Sequence, residues 1–326
     1  MVTDWFGCYE QTWHDIIVPE AFAHPAKMSR SLLQRIYAHL SLMIGSTVVD
    51  PFGGIGTTAI EGAWLGHRVV CCELEPKFVA LAQENFKLHR RKWETLGLPM
   101  PRIVCGDSRR LREHIGSVVD TMKAEQQGGR SASSASQDTD SRYGDTAGQL
   151  AKMEKSVVDA VIASPPFQNS GTDADKEAHN RQVITSGMPT HRINAKIGKT
   201  DYADSVKGNI GAQMSDATFW SAASDIVAES YAILKPGGRA AWVVKAFVRK
   251  GQIVDFPGNW RRLCEHVGFQ TELEVHALLI KSTTETDLFG EEVTETKARK
   301  SFFRRLAEAK GAPPIDFEVV LIMVKR

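Results

Sequence analysis

The sequence lacks a long apolar run, a paired set of cysteines and a secretion signal. No stretch approaches the roughly 18 consecutive apolar residues that a membrane-spanning helix needs. The first residues carry an early acid and no basic-then-apolar pattern, so we expect the protein not to be secreted. The five cysteines are an odd number without a CxxC spacing, which disfavours a disulfide framework and a zinc knuckle. We therefore expect reduced cysteines, with Cys71 and Cys72 as small core residues.

The chain also lacks an excess of charge of either sign. It has 40 Lys and Arg against 39 Asp and Glu, a formal net charge of +1. This balance excludes a histone-like polycation, but it is compatible with a nucleic-acid enzyme that has one basic face. The length of 326 residues suffices for one large α/β domain with insertions, or for two small domains.

Three stretches differ from the rest of the chain in amino-acid composition and lack a regular apolar pattern. Residues 124–156 are rich in Ser, Gln, Gly and Asp and almost free of large aliphatic side chains. They cannot bury enough surface to offset their ordering entropy, so we predict a disordered insertion, delimited as 118–156. Residues 168–215 are polar without a sustained period, and residues 282–312 begin with a charged run. We expect these two to be irregular insertions as well.

Between the insertions, strands alternate with helices. We predict helices over residues 29–42, 57–65, 76–90, 219–234 and 260–267, and strands over 46–50, 67–73, 102–105, 158–163, 239–245, 272–280 and 316–325. This alternation predicts a doubly wound, mostly parallel, seven-stranded sheet in a single α/β domain over residues 1–326. The two consecutive strands at the end predict an antiparallel edge hairpin.

A glycine-rich turn follows the first strand of this predicted sheet. It reads Asp50-Pro-Phe-Gly53-Gly54-Ile-Gly56-Thr-Thr, and ligands of open α/β sheets bind at such strand-to-helix turns. Its glycines let the backbone approach a ligand, and the next helix offers unpaired N–H groups. Glu73 lies about 20 residues on, where a ribose-binding acid is expected. Tight-turn glycines without a ligand are the alternative. If the turn does bind a ligand, the turn alone does not decide between a dinucleotide and S-adenosylmethionine.

Two further acids lie at strand ends. Asp50 would repel a pyrophosphate and favours a cofactor with ammonium or sulfonium charge. Asp107 ends the third strand, where it can accept a hydrogen bond from an adenine amino group. An N-cap for the following helix is an equally good interpretation of Asp107.

The tetrapeptide Ser164-Pro165-Pro166-Phe167 follows the fourth strand. Two prolines fix the chain, so that their carbonyls point rigidly past the strand end. Ser164 Oγ and the Pro165 carbonyl can accept hydrogen bonds from the NH₂ of a planar substrate, and Phe167 can stack on its ring. The alternative is a proline-terminated strand with an incidental aromatic.

Residues 50–58 together with 164–167 resemble the S-adenosylmethionine-dependent amino methyltransferases of DNA. The resemblance implies a Rossmann-like class I methyltransferase fold, and it implies transfer to the exocyclic N4 of a flipped-out cytosine, because Ser in first place is associated with that base. His24-Pro-Ala-Lys27 is similar to the segment that contacts the methionine end of the cofactor, Glu73 matches the ribose-binding acid and Asp107 the adenine-contacting acid. The implied catalytic residues are Ser164, Pro165, Pro166 and Phe167. The implied cofactor-binding residues are His24, Lys27, Asp50, Phe52, Gly53, Gly54, Gly56, Thr57, Thr58, Glu73 and Asp107.

No separate target-recognition domain is visible, so double-stranded DNA must be held by the insertions. Residues 168–215 could close over the substrate, and the stretch from Thr296 interleaves bases with aromatics. The candidate nucleic-acid-binding residues are Arg181, Arg192, Lys196, Lys199, Lys297, Arg299, Lys300, Arg304 and Arg305.

Several other functions remain open on the sequence alone. They are adenine-N6 methylation of DNA, guanine-N2 methylation of tRNA, and a cofactor-binding scaffold without catalysis. A nicotinamide oxidoreductase is disfavoured by Asp50 and by the tetrapeptide. The DNA interpretation implies a cytoplasmic, nucleoid-associated protein of restriction-modification type, with DNA rather than RNA or a membrane as its partner.

Overall fold

The computed structural model describes residues 2–24, 27–128, 158–166, 216–249, 251–286, 292–298, 308, 311 and 313–326. The α-helices among them are α1 (Arg30–Leu40), α2 (Thr57–Trp64), α3 (Pro76–Leu96), α4 (Leu111–Gly128), α5 (Asp216–Ile233) and α6 (Phe256–Val267). The strands are β1 (Val2–Trp5), β2 (Thr47–Asp50), β3 (Arg68–Glu73), β4 (Arg102–Cys105), β5 (Val158–Ala163), β6 (Leu234–Val244), β7 (Phe247–Arg249), β8 (Gln252–Val254), β9 (Gln270–Leu278), β10 (Ile280–Thr286), β11 (Glu292–Ala298) and β12 (Phe317–Val324). Short 3-10 helices cover Pro19–Ala23 and Ser108–Arg110.

One large sheet organises these elements. Its strands follow the order β1-β9-β12-β6-β5-β2-β3-β4. Strand β12 runs antiparallel to both of its neighbours, and every other neighbouring pair is parallel. The predicted doubly wound, mostly parallel sheet with an antiparallel C-terminal strand is thereby confirmed. It has eight strands rather than seven, since β1 adds to the outer edge of β9.

Helices cover both faces of the sheet, and alternate strand residues belong to two separate cores. On β3, Val69 and Cys71 pack with α1, α2 and α3, whereas Val70 and Cys72 pack with α4, α5 and α6. Such strands are buried on both faces and read as continuous apolar runs. Cys71 and Cys72 are both fully buried, as predicted.

The last two predicted strands, β9 and β12, pair antiparallel as expected, but their predicted place at the edge of the sheet is wrong. Strand β12 lies inside the sheet, between β6 and β9. Its central residues Val319 to Met323 are buried without interruption, which fits an interior strand and not an edge. Strand β9 lies one place further out and is itself covered by β1.

Two of the predicted insertions contain regular structure. Helix α4 continues to Gly128 and buries Val119 and Met122, so the first part of the predicted disordered stretch 118–156 is helical. The stretch 282–312 is not irregular throughout, because β10 and β11 form an antiparallel hairpin with Ile280 opposite Ala298. Its Thr- and Val-containing sequence has the β-branched residues that favour strands. Residues 129–157 and 167–215 lie outside the described residues, and with them most of the insertion 118–156 and all of the insertion 168–215.

Several element boundaries also differ from the prediction. Helix α3 continues to Leu96 and ends at Gly97, whose φ of +65° is the left-handed conformation of a helix C-terminus. Helix α6 begins four residues earlier than expected, after Asp255, whose carboxylate accepts the Gly258 N–H. Strand β6 begins at Leu234 rather than at residue 239, and residues 235–238 form a bulge in its pairing with β5.

Candidate active site

The candidate site lies where three parallel strands end. Strand β2 ends at Asp50, β3 at Glu73 and β5 at Ala163, and β2 is hydrogen-bonded to both of the others. Strands β2 and β5 are parallel neighbours and pair Val49 with Val161, so the glycine turn and the tetrapeptide follow adjacent strand ends. The two motifs identified in the sequence therefore meet at one edge of the sheet, which is where open α/β sheets bind ligands.

The three glycines of the turn have different roles. Gly56 (φ +80°) is the N-cap of α2, and a Cβ there would lie 2.7 Å from the Phe86 ring. A Cβ on Gly53 would lie 2.7 Å from Cys71 Cβ. These two glycines are needed for packing. Gly54 (φ +50°) would instead point its Cβ at the His24 ring, 3.3 Å away.

Glu73 holds the turn in place. Its carboxylate accepts hydrogen bonds from the Gly54 N–H and the Glu75 N–H, both at 2.8 Å. Burial disfavours the charged form and raises the pKa of Glu73 to about 7. The acid expected to bind a ribose is thus also the residue that fixes the glycine loop.

Asp50 is a second buried carboxyl group at this edge. It is 4% exposed, and it accepts hydrogen bonds from the Phe52 N–H at 2.9 Å and from the Thr58 side chain. Burial raises the pKa of Asp50 to about 6, although both hydrogen bonds lower it. Thr57 and Thr58 begin α2 and are both buried. Two acids with raised pKa values at the carboxyl ends of neighbouring strands are typical of a functional site.

The N-terminal segment places His24 over the turn. The His24 ring is buried and packs edge-on against Phe78, with ring centroids 4.4 Å apart. Burial, with smaller contributions from Lys27 and Lys77, lowers the pKa of His24 to about 3, so the ring is neutral. Lys27 Nζ donates to the carbonyls of Phe22, at 2.9 Å, and His24, and burial lowers the pKa of Lys27 to about 8.

Asp107 is an N-cap, one of the two interpretations that the sequence left open. Its carboxylate accepts the Arg109 N–H at 3.0 Å and forms an ion pair with the Arg109 guanidinium. Burial raises its pKa, but the hydrogen bonds from Arg109 outweigh burial and hold the pKa of Asp107 below its ordinary value. Contact with an adenine ring stays a prediction.

The tetrapeptide is described in part. Ser164 is exposed, Pro165 is buried and Pro166 is half-buried. Phe167 lies outside the described residues. The described part therefore presents a serine hydroxyl at the surface, on a chain fixed by a buried proline.

Most of the candidate nucleic-acid-binding residues lie outside the described residues, namely Arg181, Arg192, Lys196, Lys199, Arg299, Lys300, Arg304 and Arg305. Lys297 is described and is exposed on β11, opposite Lys281 of β10. Contact of these residues with a nucleic acid stays a prediction.

Sequence reasoning missed two polar side chains that support the turn. Ser108 is buried and its hydroxyl donates to the Pro51 carbonyl at 2.6 Å. Asn85 of α3 is fully buried and its amide donates to the Ile55 carbonyl at 2.9 Å. A buried polar residue on a helix has no periodic signal, although Asn85 does fall on the apolar face of α3 together with Phe78, Ala82 and Phe86.

Among the described residues no group of His, Cys, Asp and Glu is placed to hold a metal ion. In the same part of the chain, none of the helices combines the length and the apolar character that crossing a membrane requires.

Comparison with known proteins gives one family match. Residues 7–84 match the family model N6_N4_Mtase, described as DNA methylase. The matched segment includes His24, the glycine turn and Glu73, which together form most of the described site. Over this segment the chain is similar to the DNA methylases. No curated protein matches the sequence.

Solved structures resemble the chain remotely. A precorrin-6y C5,15-methyltransferase from Geobacter metallireducens is 10% identical with a TM-score of 0.42, covering 93% of this chain and 91% of its own. A TehB-like SAM-dependent methyltransferase from Corynebacterium glutamicum is 13% identical with a TM-score of 0.35, covering 90% and 86%. Phosphoethanolamine N-methyltransferase 2 from Haemonchus contortus, in complex with S-adenosyl-L-methionine, is 12% identical with a TM-score of 0.42, covering 94% and 56%. Likeness this low says nothing about the substrate of this chain.

Proposed function

We propose that this chain is a DNA methyltransferase that uses S-adenosylmethionine to methylate the exocyclic N4 of a flipped-out cytosine. The observation that carries the proposal is the meeting of two motifs at one sheet edge. The glycine turn, with its acids Asp50 and Glu73, and the tetrapeptide, with the exposed Ser164 and the buried Pro165, follow the ends of neighbouring parallel strands. The match of residues 7–84 to the DNA methylases supports the same class of substrate.

The residues at the turn fit S-adenosylmethionine. Asp50 and Glu73 are carboxylates that favour a ligand carrying ammonium or sulfonium charge and would repel a pyrophosphate. Gly54 has no side chain, so the turn can pack closely against the His24 ring, from which a Cβ would lie 3.3 Å away. Glu73 would bind the ribose hydroxyls, while Asp50, His24 and Lys27 would surround the methionine end. When bound, the cofactor supplies a methyl group on a positively charged sulfur.

Ser164 and Pro165 would orient the accepting amine. The lone pair of an amine conjugated to a ring is delocalised, which makes it a poor nucleophile. Acceptors at Ser164 Oγ and the Pro165 carbonyl would bind the two N–H groups, favour the pyramidal form and direct the lone pair towards the glycine turn. Positioning of this kind supplies most of the rate without a covalent enzyme intermediate.

The target base must leave the duplex to reach these acceptors. They lie at the end of a buried strand, beside the turn that would hold the cofactor, and a stacked and paired base cannot enter such a position. Cytosine N4 is preferred over adenine N6 because of the serine in first place, and DNA over tRNA because of the family match.

Substitution of Ser164 tests this role. Ser164 is exposed, so Ser164→Ala is expected to leave folding intact. Loss of one acceptor that acts mainly in the transition state is expected to lower kcat about 100-fold, with cofactor affinity changed less than about twofold. Calorimetric titration with the cofactor and a methyl-transfer assay on duplex DNA measure the two quantities.

The matched control is Ser117→Ala, which removes an exposed serine hydroxyl from α4. It is expected to change neither quantity. Equal losses of turnover and cofactor binding in Ser164→Ala would contradict the proposed role of Ser164, as would an unchanged kcat.

A further inference from the structure

Asn85 connects two parts of the candidate site that are far apart in the sequence. It lies on α3 and is fully buried. Its Oδ1 accepts a hydrogen bond from the Val18 N–H at 2.8 Å, and its Nδ2 donates to the Ile55 carbonyl at 2.9 Å. A backbone N–H can only donate and a carbonyl can only accept, so these partners fix the orientation of the amide.

Each of the two partners leads directly to a ligand-facing residue. Val18 immediately precedes the 3-10 helix Pro19–Ala23, and His24 follows that helix. Ile55 lies between Gly54 and Gly56, and Gly54 is the glycine that faces the His24 ring. The amide of Asn85 therefore joins the backbone that supports His24 to the backbone that carries Gly54.

A second side chain of α3, His89, forms a hydrogen bond to the N-terminal segment. His89 lies one helical turn beyond Asn85 and hydrogen-bonds through Nε2 to the Ile16 carbonyl at 2.7 Å. Because a carbonyl only accepts, this nitrogen carries the proton. His89 thus anchors the segment, whereas Asn85 anchors the segment and the turn together.

We propose that Asn85 is a positioning residue that sets the separation between the His24 segment and the glycine turn, and thereby the affinity for the cofactor. The inference rests on the proposed function, because it places S-adenosylmethionine against both of these elements, which pack directly on each other at Gly54 and the His24 ring. Asn85 does not touch the reacting atoms, and it acts through Val18 and Ile55. An amide is suited to this position because it offers one donor and one acceptor on a short side chain.

Asn85→Leu tests the proposal, since leucine has a similar size and can form neither hydrogen bond. The expected result is an increase in the dissociation constant for S-adenosylmethionine of about tenfold, because both hydrogen bonds that join the His24 segment to the glycine turn are lost. At saturating cofactor, kcat is expected to fall less than about threefold, because Ser164 and Pro165 are untouched. Calorimetry and steady-state kinetics measure the two effects.

The control is Val227→Ala, a fully buried residue of α5 in the core on the opposite face of the sheet. It destabilises the protein without contacting the site, and it is expected to leave the dissociation constant within about twofold. If both variants weaken cofactor binding alike, Asn85 has a general structural role only and the proposal is overturned.

Amide hydrogen exchange of the cofactor-free protein separates this proposal from the proposed function. Asn85→Leu is expected to raise exchange together in residues 16–24 and in residues 53–56, whereas Val227→Ala is not. If the wild type binds no S-adenosylmethionine but Asn85→Leu still raises exchange in both segments, the role of Asn85 in joining them is supported and the proposed function is refuted. Loosening of neither segment, or of one without the other, would overturn the connection itself.

Discussion

Asp50 and Glu73 are single residues that hold the glycine turn in place and that we also propose as ligand-binding residues. Each carboxylate accepts hydrogen bonds from the glycine turn, through the Phe52 N–H and the Gly54 N–H respectively. Both are buried, and burial raises both pKa values, to about 6 and about 7. The same charges that favour a cationic ligand therefore destabilise the protein in its absence.

The stability of the cofactor-free protein should reflect this cost. The pKa of Asp50 is raised from 3.8 to about 6, so the folded state binds the proton more tightly than the unfolded state. The associated stabilisation is fully present below pH 4 and is lost as the pH rises through about 6. A shift of this size corresponds to roughly 2–3 kcal/mol.

Asp50→Asn removes this titration. Urea unfolding from pH 4 to pH 8 is expected to show the wild type losing stability relative to Asp50→Asn by on the order of 2 kcal/mol, with the change complete above about pH 6. Asp120→Asn, at an exposed position of α4, is the control and should follow the wild type. Parallel profiles of the wild type and Asp50→Asn would contradict the raised pKa.

Residue patterns could predict the acids and the glycines, but not all of their roles. The turn, Glu73 and Ser164 are visible in the sequence because their spacing follows strand ends. The sequence predicts that Gly53 and Gly56 leave space for a ligand. In the structure, the side chains of Cys71 and Phe86 occupy that space. Asn85 has no local signal, because both of its partners are backbone groups of distant segments.

At the scale of elements, α1 and α2 are joined by a buried charged group. Glu61 of α2 is 2% exposed and forms an ion pair with Arg30 and a 3.0 Å hydrogen bond with Gln34, both of α1. The Tyr37 hydroxyl of α1 also donates to the Thr58 carbonyl at 3.0 Å. These contacts fix α1 against the helix that begins at the glycine turn.

Removal of one partner should therefore be costly. Arg30→Ala leaves the buried carboxylate of Glu61 with Gln34 alone, and we expect a loss of about 2 kcal/mol in the free energy of unfolding. The double variant Arg30→Ala/Glu61→Gln should be less destabilised than the sum of its single variants, because the unpaired charge is gone. Arg90→Ala, which breaks an exposed pair with Glu94, is the control and should have a much smaller effect. Additive losses in the unfolding experiment would refute the coupling.

Elements with a strong period were predictable and short or contextual ones were not. Strands buried on both faces are apolar throughout, so they can be recognised in the sequence. Their alternation with helices then predicts the doubly wound sheet. Strand β1 has four residues, too few for a period, and it pairs with β9, which lies far along the chain. The interior place of β12 depends on which neighbour it pairs with, and the sequence does not encode that locally.

At the scale of the whole molecule, the fold brings the residues of the candidate site together from separate parts of the chain. His24, Gly54 and Glu73 lie in the segment that matches the DNA methylases, whereas Ser164 follows about 90 residues after Glu73. The net charge of +1 does not reveal a basic face for DNA. We expect that face in the predicted stretches 168–215 and 296–305.

The central claim is the transfer of a methyl group from S-adenosylmethionine to a DNA cytosine. The most direct measurement incubates the protein with labelled S-adenosylmethionine and either duplex DNA or total tRNA, followed by mass spectrometry of the nucleosides. Ser164→Ala serves as the inactive control. Labelled N4-methylcytosine is expected in the DNA sample. N6-methyladenine there would contradict the choice of base, and label in tRNA alone, or in neither sample, would contradict the proposed function.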